Sequence, residues 1–246
     1  CPRRHVTLIS TSRSHHRNPL SVRRMFADIA PRYDLLNGVL SFGMDRLWRR
    51  RAAALAEPPW GGAALDVCCG TGDMTRDLAR LVGSEGKCVG VDFCTDMLVR
   101  ASRRKPIDSA AVPVYIEADA HDLPFAAKTF DCVTIAFGIR NVTEPVVAFT
   151  EMARVIRPGG RAVCLEFGLP SDPARSMLVR LYEGRVMPQI GALLSRRQAY
   201  EYLSDSIAAF ATPEEVRAMM ELVGFGSVRT ISMNMGSVYL HAGVRL

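Results

Sequence analysis

The sequence predicts an α/β protein: a Rossmann-like, mostly parallel sheet with helices on both faces and an antiparallel last strand. From residue 63 onward, short apolar runs alternate with amphipathic helical stretches, the pattern of a parallel sheet that is covered on both sides. A glycine-rich turn directly follows the first of these runs. The last two runs, residues 227–233 and 238–244, are joined by a short Asn-Met-Gly segment, which indicates an antiparallel hairpin.

The individual elements follow from this periodicity. Strands are predicted at residues 64–68, 88–91, 112–117, 132–137 and 162–166, and helices at 74–81, 97–103 and 146–155. Two helices, at 20–30 and 44–56, precede the sheet and are separated by a polar, turn-prone stretch at 33–38. Further helical stretches are predicted at 173–194 and 197–210. A last helix begins after Thr212, because Pro213 and Glu215 complete an N-terminal capping sequence.

Length and composition favour one globular domain. The chain has 246 residues and 27.0 kDa, enough to bury a full core. Residues 1–19 are expected to be a disordered leader or a targeting segment, and residues 20–246 the domain, with a helical lid at 20–60 and a helical cap at 173–211. No apolar run is long enough to span a membrane, so only peripheral contact with a membrane is expected.

The net charge of +6 comes from the first 24 residues. Residues 1–24 hold six arginines and no acidic residue, which leaves 25 basic and 25 acidic side chains in the remainder. Nucleic-acid binding is therefore not favoured, since the domain has no overall basic field. The Arg- and Ser-rich leader has the composition of a transit peptide, which makes a mitochondrial or plastid location the alternative to a cytoplasmic one, peripheral to the inner membrane.

The seven cysteines form no C-x-x-C pair. Most lie in apolar, strand-like runs, where a free thiol behaves as a small hydrophobic group. This spacing favours a reducing compartment over a disulfide framework, and no metal site is predicted.

The glycine turn predicts a nucleotide-like ligand. Asp66 ends the first strand, Gly70-Thr71-Gly72 follows, and a helix then begins. Asp92 lies 20 residues after Gly72, at the end of the next strand, where a carboxylate accepts hydrogen bonds from ribose hydroxyls. Asp119, just beyond the third strand, is expected to accept from an adenine amino group.

Two residues favour S-adenosylmethionine over a dinucleotide at this turn. Thr75 occupies the position where a dinucleotide fingerprint has its third glycine or alanine. Asp73 lies at the helix N-terminus, where it would repel a diphosphate but tolerate a sulfonium or an ammonium group.

Several longer motifs carry a resemblance to a family. The glycine turn, the Ala-Asp-Ala-His-Asp-Leu-Pro-Phe stretch at 118–125 and Arg-Val-Ile-Arg-Pro-Gly-Gly at 154–160 resemble class I methyltransferases. Tyr-Asp-Leu-Leu-Asn at 33–37, Leu-Ser-Phe-Gly at 40–43, Phe-Gly-Ile-Arg-Asn-Val at 137–142 and Leu-Glu-Phe at 165–167 resemble the UbiE/MenG quinone-biosynthesis methyltransferases. This resemblance extends from about residue 22 to the end.

The resemblance implies the reaction and the donor contacts. It implies C-methylation of a polyprenylated hydroquinone, either demethylmenaquinol or the 2-methoxy-6-polyprenyl-1,4-benzoquinol of ubiquinone synthesis. It also implies donor contacts at Thr71, Asp92, Asp119 and Ala120, and at Ala136 through the backbone only, because alanine has no hydroxyl. Asp45 stands where the family usually has histidine.

Five residues are candidates for chemistry or gating. Arg140 follows a strand end that faces the donor, so it is expected to stabilise a developing phenolate; otherwise it is a surface or ion-paired arginine. Asn141 is expected to orient the substrate or the donor carboxylate, and His121 is a weaker candidate for the base. Tyr33, with Asp34, is expected to close over the donor as a lid, unless it only packs between helix and loop.

Other functions stay open at this point. The protein is alternatively an O- or N-methyltransferase of another small molecule, or a non-catalytic S-adenosylmethionine-binding partner in a quinone-biosynthesis complex. A homo-oligomer is also compatible with the sequence. The apolar stretch at 177–197, with its flanking arginines, is expected to cover the substrate tail or face a membrane, or else to pack on the sheet.

Overall fold

The computed structural model describes residues 19–169 and 197–246, and within them one seven-stranded sheet. The strand order is β3-β2-β1-β4-β5-β7-β6. Strands β1 to β5 pair in parallel, whereas β7 is antiparallel to both β5 and β6. The predicted fold is therefore confirmed. The strands are β1 (Ala63–Val67), β2 (Lys87–Asp92), β3 (Val114–Glu117), β4 (Phe130–Ala136), β5 (Ile156–Phe167), β6 (Phe225–Met233) and β7 (Val238–Arg245).

Helices cover both faces of the sheet because successive strand residues point to opposite sides. The described helices are α1 (Pro19–Ile29), α2 (Tyr33–Leu40), α3 (Met44–Leu55), α4 (Asp73–Val82), α5 (Thr95–Ser102), α6 (Pro145–Val155), α7 (Arg197–Ala209) and α8 (Pro213–Leu222). In β1, Ala64 packs with the α3 and α4 side chains, whereas Leu65 packs with those of α6 and α8.

The capping sequence before α8 forms as predicted. The Thr212 hydroxyl accepts a hydrogen bond from the Glu215 backbone N–H at 3.3 Å, and the Glu215 carboxylate accepts from the Thr212 N–H at 2.7 Å. Two otherwise unpaired donors at the helix start are thereby satisfied.

One prediction near the N-terminus is wrong. The polar stretch at 33–38 was expected to be a turn, but α2 covers it as a helix. The backbone turns later, at Phe42 and Gly43, which both have positive φ angles, of 51° and 75°. Asn37 and Gly38 are tolerated inside α2 because the helix packs against its neighbours, which outweighs weak local propensity.

Other boundaries differ by a few residues. β3 begins at Val114 rather than at residue 112, and β6 begins at Phe225 rather than at residue 227. The predicted helical stretch at 173–194 and most of the apolar segment at 177–197 lie outside the described residues. Among the residues that the structure does describe, no helix has both the length and the apolar character needed to cross a bilayer.

Candidate donor and acceptor site

A cavity of about 840 Å³, including its open mouth, lies at the carboxyl ends of the central parallel strands. This edge of an open α/β sheet is where ligands bind, because the strand order reverses there and leaves a crevice. The N-terminal helices roof it. Its lining comprises Val22, Phe26 and Tyr33 of the N-terminal helices, and Val67, Cys68, Gly70, Val91, Asp92, Phe93, Met97, Ala118, Asp119, Ala120, His121, Ala136, Phe137, Gly138, Asn141, Val142 and Thr143.

Asp92 holds the glycine turn in place. One carboxylate oxygen accepts from the Gly70 N–H at 2.8 Å, and the other accepts from the Cys94 N–H at 2.9 Å. Burial raises the pKa of Asp92, while these backbone N–H groups act in the opposite direction. A carboxylate has about four acceptor positions, so Asp92 can also accept from ribose hydroxyls.

Gly72 is required by packing rather than by the ligand. It has a φ of 82°, and an added Cβ there would overlap the Tyr115 hydroxyl. Gly72 is not part of the cavity lining, whereas Gly70, with a φ of 55°, is. The two glycines of the motif therefore have different roles. Gly70 allows the backbone to approach the ligand closely, whereas Gly72 allows the turn to pack against β3.

Thr71 faces the N-terminal helices and not the cavity. Its hydroxyl donates to the Asp34 carboxylate at 2.5 Å, and only 4% of the residue is exposed. A donor contact through the Thr71 side chain does not match this placement. The bond instead joins the glycine turn to α2.

The charge effect predicted for Asp73 is wrong, although the donor that it favoured is right. Arg104 pairs with Asp73 at 2.5 Å and lies 3.9 Å from Asp34. The Asp73 carboxylate is neutralised by this guanidinium, so it does not repel an anion at the helix start. The pairing joins residues 31 positions apart, which the local motif did not reveal.

Asp119 and His121 are bonded to each other at the cavity wall. The His121 ring Nδ1 lies 2.6 Å from an Asp119 carboxylate oxygen, and Nε2 accepts from the Glu144 backbone N–H at 3.2 Å. Nδ1 therefore carries the proton, and the lone pair of Nε2 is occupied. This arrangement does not suit His121 as a base. The Asp119 side chain is 67% exposed, so it remains accessible to an adenine amino group.

Ala120, Ala136 and Asn141 all line the cavity, where the sequence placed them. The Asn141 amide oxygen accepts from the Tyr202 hydroxyl at 2.7 Å, which brings α7 to the cavity rim. Asn141 is consequently oriented by a helix that follows β5 in the sequence.

Arg140 is buried beside the cavity and is ion-paired. Its Nη1 donates to Glu166 at 2.7 Å and to the Phe137 carbonyl at 2.6 Å. The side chains of this pair are 6% and 1% exposed. Arg140 does not belong to the cavity lining, and its Nε is buried without a hydrogen-bond partner among the described residues. The guanidinium is therefore not free in the cavity, contrary to what the strand-end position predicted.

Tyr33 lines the cavity, and its role as a lid stays a prediction. A further connection, which the sequence did not suggest, lies on α1. Arg23 donates to Glu117 at 2.6 Å and to the Thr95 hydroxyl at 3.0 Å, so α1 is attached to the end of β3 and the start of α5. The contacts of Val22 and Phe26 depend on this docking, and no local sequence signal predicts it.

The sequence is similar to known methyltransferases. The sequence matches the ubiE/COQ5 methyltransferase family over residues 11–245. It is 41% identical to the ubiquinone/menaquinone biosynthesis C-methyltransferase UbiE of Geobacter sulfurreducens, over 99% of this chain and 94% of that protein. It is 38% identical to the demethylmenaquinone methyltransferase of Staphylococcus carnosus, over 91% of this chain and 92% of that protein.

A solved structure shows the same fold. An S-adenosylmethionine-dependent methyltransferase from Thermotoga maritima superposes with a TM-score of 0.62 at 18% identity, covering 91% of this chain and 99% of that one.

The residues of the cavity fit S-adenosylmethionine as the methyl donor, since Gly70 exposes backbone and Asp92 exposes a carboxylate to the same cavity. The chain belongs to the ubiE/COQ5 methyltransferase family, and its methyl donor is S-adenosylmethionine.

Proposed function

We propose that this protein methylates a ring carbon of a polyprenylated hydroquinone, either demethylmenaquinol or the 2-methoxy-6-polyprenyl-1,4-benzoquinol of ubiquinone synthesis. The functions for which the Geobacter and Staphylococcus relatives are named support this reaction class. One structural observation carries it: the cavity at the carboxyl ends of the strands is lined by Asn141, and the buried Arg140–Glu166 pair lies beside it.

The donor is held by the first half of the sheet. We propose that Gly70 and Asp92 bind its ribose side, and that Asp119 and Ala120 bind its adenine. Ala136 contributes its backbone or its methyl group, and Tyr33 closes the roof. When bound, S-adenosylmethionine supplies the electrophilic methyl group of its sulfonium.

The acceptor needs help to lose a hydroxyl proton, because a ring carbon becomes nucleophilic as the phenolate forms. We propose that Arg140, which lies beside the cavity, stabilises this phenolate through its Nε–H, which has no partner among the described residues. A buried donor without a partner is rare in folded proteins and requires a specific explanation, which an acceptor oxygen would supply. Glu166 fixes the guanidinium, and Asn141 orients the ring. With its Nε2 lone pair occupied, His121 is a wall residue in this proposal.

Peripheral membrane contact is a second proposal, since a polyprenyl substrate resides in the bilayer. At the α2–α3 corner, Phe42 and Leu47 are 78% and 61% exposed. Arg46 and Arg50 are exposed on α3, the helix that carries Leu47. Flotation with vesicles containing anionic lipid tests this surface. Binding that is lost in Phe42→Ser/Leu47→Ser supports it, and equal flotation of that variant contradicts it.

The methylation proposal is tested by transfer of labelled methyl from the donor to short-chain demethylmenaquinol and to the matching benzoquinol. Each acceptor is compared with its oxidised quinone. We expect transfer to at least one quinol and none to either quinone, because only the reduced ring forms a phenolate. Donor binding without transfer to any quinol contradicts the proposal and favours the non-catalytic alternative. Transfer to an unrelated hydroxyl or amine compound alone favours an O- or N-methyltransferase.

A further inference from the structure

Phe137 lies in a strained backbone conformation at the cavity. It directly follows β4, lines the cavity and has a φ of 57°, which is uncommon for a bulky side chain. Cys68, directly after β1, also has a positive φ, of 55°. The two strand ends meet at Gly138, where an added Cβ would overlap the Cβ of Cys68. Such strain persists only where surrounding contacts enforce it, and it concentrates at functional sites.

Three hydrogen bonds fix the backbone of Phe137. Its N–H donates to the Leu165 carbonyl at 2.7 Å. Its carbonyl accepts from Arg140 Nη1 at 2.6 Å and, more weakly, from the Asn141 amide at 3.5 Å. The residues proposed to act on the acceptor therefore also fix the position of Phe137.

The ring of Phe137 is surrounded by aromatic groups and a cation. Phe167 packs on it with centroids 4.6 Å apart and a 36° tilt, and Trp48 lies at 6.2 Å. The guanidinium carbon of Arg49 lies over the ring at 5.2 Å. With Phe167 and Arg49 packed against the ring and only 7% of the residue exposed, the part of Phe137 that can contact a ligand in the cavity is an edge of the ring.

We propose that this edge of Phe137 is the surface on which the aromatic ring of the acceptor packs. An aromatic edge is electropositive and prefers the electron-rich face of another ring. A hydroquinone that is losing a proton presents such a face. This inference rests on the proposed function in one respect, namely that the acceptor is an aromatic quinol.

Arg49 is the positioning residue for Phe137. Its side chain is 7% exposed, and its Nη1 is buried without a hydrogen-bond partner among the described residues, 3.7 Å from Asp45. Its cation over the ring draws electron density from the edge, which strengthens the contact with an electron-rich acceptor. A purely structural role for Arg49 would affect the stability of the fold but not the affinity for the acceptor.

Trp48 allows acceptor binding to be measured without catalysis. The sequence has two tryptophans, of which Trp48 is buried against Phe137 and Trp60 is 65% exposed. In Trp60→Phe, Trp48 is the only tryptophan, and a 1,4-naphthoquinol bound at Phe137 in the absence of donor quenches its fluorescence. Under anaerobic, reducing conditions we expect saturable quenching by a short-prenyl 1,4-naphthoquinol, with Phe137→Leu in this background weakening binding about 2- to 10-fold. Donor affinity, measured by calorimetry, should stay within about twofold.

Phe125→Leu is the matched control, because Phe125 also packs against an aromatic ring, that of Phe130 at 5.0 Å, but lies outside the cavity lining. It should leave quinol binding unchanged. The absence of saturable quenching, equal quinol affinity in Phe137→Leu, or an equal loss of donor affinity overturns the assignment. Quenching that depends on Phe137 in a protein that methylates no quinol would contradict the proposed function and leave the Phe137 assignment standing.

Arg49→Met and Arg49→Lys separate positioning from folding. Met keeps the length without the charge, whereas Lys keeps a cation. We expect Arg49→Met to weaken quinol binding about threefold, Arg49→Lys to recover part of it, and Arg51→Met, at an exposed position of the same helix, to change nothing. A change in thermal stability of Arg49→Met with no change in quinol affinity contradicts the positioning role.

Discussion

Two buried carboxylates at adjacent strand ends serve different purposes. Asp92 accepts two backbone N–H bonds and faces the donor cavity. Asp66 is fully buried and accepts from the hydroxyls of Thr75 and Thr134, which join β1 to α4 and β4. The local motif predicted that Asp92 would lie at the site. It could not reveal long-range partners such as Glu166 for Arg140, because tertiary packing and not sequence spacing brings such pairs together.

The Arg140–Glu166 pair leads to a prediction about the free energy of unfolding. Arg140→Ala should lower the free energy of unfolding by about 3–5 kcal/mol, because it leaves the Glu166 carboxylate buried and uncompensated. Arg140→Met/Glu166→Gln removes both charges and should be less destabilised than Arg140→Ala. Urea unfolding measures this difference. Equal destabilisation of the single and double variants would show that the pair is not coupled as described.

The N-terminal helices and the sheet both contribute residues to the lining of the cavity. α1 is held by the Arg23–Glu117 pair, and α2 by the Thr71–Asp34 bond. The sequence predicted a helical lid but placed a turn where α2 lies, because the Asn-Gly signal is local and helix packing overrides it. The element was therefore predictable as a type of structure, whereas its docking contacts were not.

Weakening the α1 attachment should speed donor release. Arg23→Gln should raise the donor Kd by up to about fivefold, since a partly exposed ion pair contributes about 0.2–1 kcal/mol. Arg24→Gln removes an exposed charge one residue away and is the matched control. The charge swap Arg23→Glu/Glu117→Arg should recover part of the affinity. Identical donor Kd values for the two single variants, measured by calorimetry, would argue against α1 as a lid.

At the scale of the whole molecule, the fold was the most predictable feature. Alternating apolar runs and the short final connection specified a parallel sheet with an antiparallel last strand, and both occur. The physical basis of the sheet prediction is burial on both faces, because it makes the buried strands apolar along their length. The cavity roof and the buried charge pairs depend on contacts between elements that are far apart in the sequence. Local sequence patterns do not specify such contacts.

The pH dependence of stability combines two opposing groups. Burial raises the pKa of Asp66 to about 7, so the folded protein keeps this proton longer, and the free energy of unfolding falls as the pH rises from about 4 to 7. Burial lowers the pKa of His241 to about 4, so the unfolded protein gains a proton first, and the free energy of unfolding falls as the pH drops below about 6.5.

Single substitutions should separate these contributions. The free energy of unfolding of Asp66→Asn, taken relative to that of the wild type, should be higher at pH 7.5 than at pH 4.5 by a few kcal/mol. His241→Gln should show the reverse, with a smaller loss of stability on acidification. Unfolding curves at the two pH values measure both differences. If each variant parallels the wild type, neither group controls the pH dependence.

The bond formed in the product tests the central claim most directly. The protein is supplied with donor carrying a ¹³C-labelled methyl group and with the reduced short-chain acceptor, and the product is analysed by NMR. We predict a methyl group attached to a ring carbon of the quinol, with no label on oxygen. A labelled methoxy group, or label only in compounds other than the quinol, would contradict C-methylation of a hydroquinone in this cavity.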